Sequence, residues 1–455
     1  MSFSTVSAPA ESNILEFPAE KHWWSVYRWG VCRWVLLLLG HMAILTALYS
    51  VLYCFDLVQL PTEQVLARWD SGWFQSIRDH GYSYEEGKQS NVAFFPLFPH
   101  LWRVTGLQAL GISILNLLIW IVGTALLLAA LPCTRRQGML LASVPLLMFT
   151  WVPYTEALFY LFGALILVGL HRQHLGWLLL GLLGCCLTRI AATFFLPALC
   201  LAELLNWLEA RADWKASVKA VVLGTLAMAA AVGSVLWFQH WQTGEWLGFY
   251  KAHRHWQHEW RLPTLWLRTS AKTRMQWLDT ISLGISLGAI MVCIYLLSSR
   301  LWNMRKVVPT KPSSSKAVRF ALGYCVCIGI FTVFQQGGDI VGISRYTLGT
   351  PFFGVLLWAM WQQRYSWSTW VVGAIVACLV LYFVGFPYEV EGFKTPQAAW
   401  YFGLAAAYVV AMLVAGNSKL NKLPFQRELG GAIYLFNTLI QVYMLNWFMS
   451  AVWLG

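Results

Sequence analysis

"VCRWVLLLLGHMAILTALYSVLYCF", Val31 to Phe55, is an apolar stretch whose only charged residue is Arg33, near its start. A run of about 18 or more apolar residues crosses a hydrocarbon core roughly 30 Å thick as a helix. Similar runs recur along nearly the whole chain. Of 455 residues, 58% are hydrophobic and 11% are charged, and the mean hydropathy is well above zero. Composition therefore overrules the two or three soluble domains that length alone allows. The expected fold is an all-α polytopic membrane protein, a helical bundle of about 11–13 transmembrane helices.

Crossings fall near 31–55, 107–131, 138–153, 154–170, 175–188, 190–207, 218–240, 277–299, 318–336, 347–363, 368–386, 398–415 and 431–454. Pro145, Pro153 and Pro197 predict kinks or half-helices, which a membrane tolerates only where protein or a cavity covers the freed backbone. Residues 1–30 read as a cytoplasmic lead-in without the basic-then-apolar order of a cleaved signal peptide. Residues 31–455 read as a single integral-membrane domain. With the N-terminus in the cytoplasm, the short loops "TRRQ" (134–137), "HRQH" (171–174) and "NSKLNKLPFQRE" (417–428) face inward, and they are basic. The segment 300–317 is a flexible cytoplasmic linker. Three larger segments, 56–106, 241–276 and 337–346, face outward with Asp70, Asp79, Glu85, Glu86, Glu156 and Asp339. That asymmetry matches the positive-inside bias.

The net charge of +12 comes from basic residues scattered through short loops, so no nucleic-acid partner is expected. The 27 tryptophans suit a chain with many bilayer interfaces. The cysteines mostly lie inside apolar runs, as small hydrophobes without a disulfide framework or metal-ligand spacing.

The first outer segment contains "PTEQVLARWDSGWFQSIRDHGY" (61–82). Val65, Leu66, Trp69, Trp73 and Ile77 recur at spacings of three and four, which predicts an amphipathic helix from Pro61 to Gly81. Asp70 points with the apolar stripe, whereas Asp79 reads as a solvated acid near the helix end. A carboxylate at an apolar outer surface is a candidate general base; the plainer reading is an N-cap or an ion pair with Arg68. Downstream, "AFFPLFP" (93–99) cannot be regular helix through its start, because Pro96 constrains Phe95 as well as itself. It reads as a rigid aromatic segment re-entering the membrane, or as a helix start with packing aromatics.

"RWDSGWFQSIRDHGYSYEEG" (68–87) with "NVAFFPLFP" (91–99) resembles the first luminal loop of PIG-V type mannosyltransferases, members of the GT-C class that use a lipid-phosphate sugar donor. "PYTEALFYLFGAL" (153–165), "LTRIAATFF" (187–195) and "SRYTLGTPFF" (344–353) resemble later motifs in the same order, although the Asn-Gly that follows the arginine in the family is replaced after Arg189. Beyond Pro351 the likeness is one of hydropathy alone. The resemblance implies a GT-C-like bundle, Asp70 as catalytic base, and transfer of a sugar, mannose above others, from a polyprenyl- or dolichyl-phosphate donor to a glycolipid or glycan acceptor. No DxD pair is present, so no metal and no cofactor are expected. Compact loops, the absence of an N-x-S/T sequon and the absence of an ER-retention tail favour a prokaryotic plasma membrane over the endoplasmic reticulum.

Negative charge grows on a leaving phosphate, and arginine meets phosphate as a planar fork. Arg345 and Arg189, at outer crossing ends, are candidate phosphate ligands; interfacial snorkelling is their plainer role. Arg254 belongs to "GEWLGFYKAHRHWQHEWRLP" (244–263), read as a basic, aromatic interfacial helix in the middle outer segment. His253, His255 and His258 there match no helix-borne zinc pair. Trp69, Trp73, Phe95, His253, His255 and Tyr346 are candidate substrate contacts. Glu156 is another, or else it holds Arg189, because an isolated carboxylate at membrane depth needs a partner. A transporter or lipid flippase is the competing class, but it usually carries repeated halves, and no internal repeat is present. A non-catalytic subunit of a glycosylation complex is the third reading.

Overall fold

The computed structural model describes residues 23–190, 192–210, 214–255, 260–263, 269–271, 273–303, 315–363, 395–420 and 424–454. The predicted crossing at 368–386, most of the 300–317 linker and the lead-in up to residue 22 lie outside them. The described residues form helices and turns, with no strand. Five helices are long and apolar enough to cross a membrane: Tyr27–Cys54, Ala109–Ala130, Trp214–Thr243, Arg274–Leu301 and Lys316–Gln335. The chain is thus a multi-pass helical membrane protein, as its composition predicts.

In chain order, α1 spans Trp23–Cys54, α2 Glu63–Leu66, α3 Asp70–His80, α4 Leu97–Thr105, α5 Ala109–Ala130 and α6 Arg135–Ala142. Then come α7 at Glu156–Arg172, α8 at Leu175–Thr188, α9 at Ala192–Ala210, α10 at Trp214–Thr243, α11 at Gly248–His255 and α12 at Thr273–Asn303. The described chain ends with α13 (Lys316–Gln335), α14 (Ile343–Thr347), α15 (Pro351–Gln362), α16 (Thr395–Gly416) and α17 (Gln426–Met449). The first described helix begins at Trp23, within the expected 1–30 lead-in. The helix α11 is a short helix within 244–263, the segment read as an interfacial helix.

The predicted crossing 138–153 is not a regular helix. Thr134 and Gln137 form a capping box that starts α6, with Thr134 Oγ1 accepting from Gln137 N at 3.2 Å. The helix stops at Ala142, and Pro145–Thr150 continues as 3-10 turns. This segment is buried by protein on all sides, so its broken ladder meets no lipid. Its carbonyls find buried side-chain amides instead. Asn116 Nδ2 on α5 donates to Val152 O (2.7 Å) and Tyr154 O (3.0 Å). Gln441 Nε2 on α17 donates to Ala142 O (3.1 Å) and Val144 O (3.0 Å).

The next two helices turn back on each other closely. A Cβ on Gly181 would lie 2.6 Å from the Phe162 carbonyl oxygen, and one on Gly169 would lie 2.6 Å from the Leu178 nitrogen. Small residues that let backbones touch are a means of helix association in membranes. At the α9–α13 end, Lys316 Nζ meets both Glu203 oxygens at 2.9 Å, and Ser217 Oγ donates to Glu203 Oε2 at 2.7 Å.

Asn116→Leu removes the donor to two buried carbonyls while keeping the branched side-chain shape. Each orphaned group costs about 1–3 kcal/mol. The thermal midpoint of the detergent-solubilised protein, followed by tryptophan fluorescence, is expected to fall by several degrees; an unchanged midpoint refutes the role assigned to Asn116.

Candidate active site

The helix predicted from Pro61 to Gly81 is interrupted. The short α2 ends at Leu66, Trp69 takes φ +56°, and α3 starts at Asp70. Positive φ at a bulky residue is strained, and here it resets the helix so that Asp70 stands in a first turn, where the helix dipole favours an acid. Asp70 N donates to Tyr154 Oη at 3.3 Å. The acid does not pair with Arg68; it pairs with Arg345, whose Nη1 lies 2.9 Å from Asp70 Oδ2. Asp79 pairs with Arg78, at 2.6 Å from Nε. Beyond Gly81, Phe94 is extended and α4 begins directly after Pro96, so "AFFPLFP" is a helix start with packing aromatics.

The centre of the cluster is Glu156, the first residue of α7 and 3% exposed. Its Oε1 accepts from Arg345 Nε and from Arg189 Nη2, the latter at 2.9 Å. The two acids and two arginines form one chain, Asp70–Arg345–Glu156–Arg189, drawn from four separated segments. Aromatic faces line it. The Arg345 guanidinium lies 4.5 Å from the Tyr154 ring centre and 5.1 Å from that of Phe149. The Arg189 guanidinium lies 4.8 Å from that of Tyr346. Burial disfavours the charge of Arg345, but Glu156 and then Asp70 outweigh it and hold its pKa well above the ordinary arginine value.

Arg345 is delivered by a turn that ends with Gly342 at φ +79°, the left-handed N-cap of α14. Asp279, 1% exposed on α12, fixes that turn. Its Oδ1 accepts from Ser344 N (3.2 Å), and its Oδ2 accepts from Gly342 N (3.4 Å) and Thr269 Oγ1 (2.8 Å). Sequence reasoning missed Asp279 and Tyr154. The signal for Asp279 was available as an acid inside the apolar crossing 277–299. Tyr154 stands in the quoted "PYTEAL" stretch, and only the fold brings it beneath Arg345.

Asp70, Arg189 and Arg345 meet at a cavity of about 200 Å³, with Glu156 behind the two arginines. Asp70, Arg189, Arg345, Tyr346, Phe95 and His253 all line it, with Thr155, Thr188, Tyr324 and Phe249. His253 Nδ1 donates to the Phe249 carbonyl at 3.1 Å, and Phe95 meets Phe249 edge to face. The other predicted residues stand apart from the lining. Trp69 is 39% exposed; Trp73 stacks on Phe94; Arg254 sits over Tyr250; His255 is exposed. Among the described residues, no three His, Cys, Asp or Glu side chains gather as a metal site requires.

No protein-family model matches the chain, and no curated protein matches it. The chain is similar in structure to ArnT from Cupriavidus metallidurans, solved as a crystal structure bound to undecaprenyl phosphate. Identity is 16%, the match covers 90% of this chain and 78% of that one, and the TM-score is 0.43.

Breaking a buried ion pair by removing one partner costs about 3–5 kcal/mol, because the other charge stays behind. Arg345→Ala is therefore expected to lower the thermal midpoint steeply. Arg345→Lys keeps the charge but gathers its donors on one nitrogen, without the spaced planar Nε and Nη1 that reach Glu156 and Asp70, so it should recover only part of the loss. A Lys variant as stable as wild type would show that the bridging geometry contributes nothing.

Proposed function

We propose that this protein is a GT-C type membrane glycosyltransferase. It moves a sugar, mannose above others, from a polyprenyl- or dolichyl-phosphate donor to a glycolipid or glycan acceptor, with inversion at the anomeric carbon. The outer face of a prokaryotic plasma membrane is the setting this reading favours. The observation that carries it is Asp70: a carboxylate with a 29% exposed side chain at a cavity whose other polar wall is cationic.

The chemistry follows from that pairing. The acceptor hydroxyl gives its proton to Asp70, and its oxygen attacks the anomeric carbon. The bond from that carbon to the phosphate oxygen breaks, and the electron pair leaves with the lipid phosphate. Arg345 engages Oδ2 of Asp70, which leaves Oδ1 for the hydroxyl. The growing charge on the phosphate is met by Arg189, with Arg345 behind it; cationic donors placed where charge develops stabilise the transition state. Arg345, with Nε and Nη1 engaged by carboxylates, is the less direct of the two. Phe95, Tyr346 and Phe249 offer faces to the sugar and to the first part of the lipid chain, and His253 offers a polar edge.

Asp70→Asn in folded, purified protein should lower transfer of labelled sugar from the lipid-phosphate donor by roughly 10²–10⁴-fold, the range of a lost general base. Near wild-type turnover would sink the base assignment. We also propose metal-independent transfer, because cationic side chains stand where a divalent ion would otherwise meet the phosphate. Prolonged EDTA treatment should leave the rate unchanged; loss restored by Mn²⁺ or Mg²⁺ would reject this.

A further inference from the structure

We infer that Glu156 sets how much of the positive charge of Arg189 and Arg345 the donor phosphate receives, holding ground-state phosphate binding down so that attraction rises only as the reaction proceeds. The inference rests on the glycosyltransferase reading above. Glu156 is a positioning residue in this account: it lies behind both arginines and does not line the cavity.

The four-residue chain holds two carboxylates and two guanidiniums in alternation, so its net charge is zero. Glu156 is 3% exposed and Arg345 5% exposed, so water cannot screen the inner pair as it does a surface pair. A phosphodiester reaching Arg189 carries one negative charge. It meets a cation whose Nη2 is already bonded to Glu156, and whose field that carboxylate partly cancels.

The reaction then changes both partners at once. The acceptor proton passes to Asp70, which becomes neutral, and the cluster rises from zero to one positive charge. The anomeric carbon–oxygen bond breaks, its electron pair goes to the phosphate oxygen, and the lipid phosphate passes from one negative charge to two. Protons and electrons balance without a further reactant. The cluster becomes a stronger anion site in the step that makes the phosphate a stronger anion. Interactions that strengthen only along the reaction accelerate it, whereas equal binding of ground and transition states does not.

Without the Glu156 charge, the cluster is positive from the outset. Lipid phosphate should then bind more tightly in the resting enzyme. Arg345, no longer divided between two carboxylates, should hold Asp70 more firmly and make it a poorer proton acceptor. The expected signature is a split: tighter binding with slower turnover. A purely structural Glu156 would weaken both.

The experiment measures affinity for sugar-free polyprenyl phosphate in detergent micelles, and single-turnover transfer from the sugar-charged donor. The proteins are wild type, Glu156→Gln, Arg189→Gln and the double variant. Glu156→Gln is expected to bind polyprenyl phosphate roughly tenfold more tightly, as one unscreened charge nearby implies, and to transfer at least roughly tenfold more slowly. A folded Glu156→Gln protein with unchanged or weaker affinity overturns the inference. If that variant does not fold, the comparison moves to the Arg189→Gln background, where the second substitution leaves one carboxylate facing one guanidinium. Affinity in the double variant should exceed that of Arg189→Gln alone, and no gain overturns the inference. Wild-type protein that neither binds polyprenyl phosphate nor transfers sugar overturns the glycosyltransferase reading, and this inference with it.

Discussion

Glu156 is a carboxylate buried at the head of a helix, and that position is tolerable only with cations beside it. Neither cation is a sequence neighbour. Arg189 comes from the end of α8 and Arg345 from the short α14, and each arrives with its own supports. Arg345 needs Asp279 to hold the backbone of its turn, and it needs the rings of Tyr154 and Phe149 beneath its guanidinium. Asp70 needs the break at Trp69 to stand opposite. An error in any of these leaves a charge uncompensated in a dry interior, so the same requirement that assembles the fold at this end also assembles the candidate site.

The broken segment between α6 and α7 belongs to that requirement. A continuous helix there would satisfy its own carbonyls and would have no need of Asn116 or Gln441. The 3-10 turns instead carry Tyr154 to the start of α7, one residue from Thr155 and two from Glu156, with its ring under Arg345 and its hydroxyl beside Asp70 N. Two buried amides donate to four carbonyls to hold that path. Irregular backbone at membrane depth survives where protein encloses it, and here the enclosed irregularity is what brings a tyrosine to the charged cluster.

Much of this was legible in the sequence, for identifiable reasons. Burial in lipid imposes long apolar runs, so α5, α10, α12 and α13 could be placed within a few residues, as could the C-terminal end of α1. Charge is so rare in the chain that Asp70, Glu156, Arg189 and Arg345 stood out individually, and the cost of an isolated charge required a partner for Glu156. What local pattern could not give was pairing across hundreds of residues. Local spacing offers Asp70 the neighbouring Arg68, two positions away, and its partner is Arg345. The spacing of Val65, Leu66, Trp69, Trp73 and Ile77 fits one amphipathic helix, and nothing in that spacing records the positive φ of Trp69. Asp279 reads as part of a crossing because two of its three partners are backbone N–H groups, which leave no trace in side-chain chemistry.

The pairing of Asp70 with an arginine looks at first like an argument against its acting as a base, since an ion pair favours the charged carboxylate over the protonated one. The geometry answers the objection by division. Arg345 faces Glu156 through Nε and Asp70 through Nη1, and Glu156 is the more deeply buried of the two acids. Coulombic attraction strengthens as water is excluded, so the guanidinium belongs more to Glu156 than to Asp70. The half of the pair that reaches Asp70 orients one oxygen and leaves the other to the cavity. For the base proposed above, such a hold fixes the direction of one carboxylate oxygen and leaves the other facing the cavity, and positioning is what proton abstraction from a hydroxyl demands.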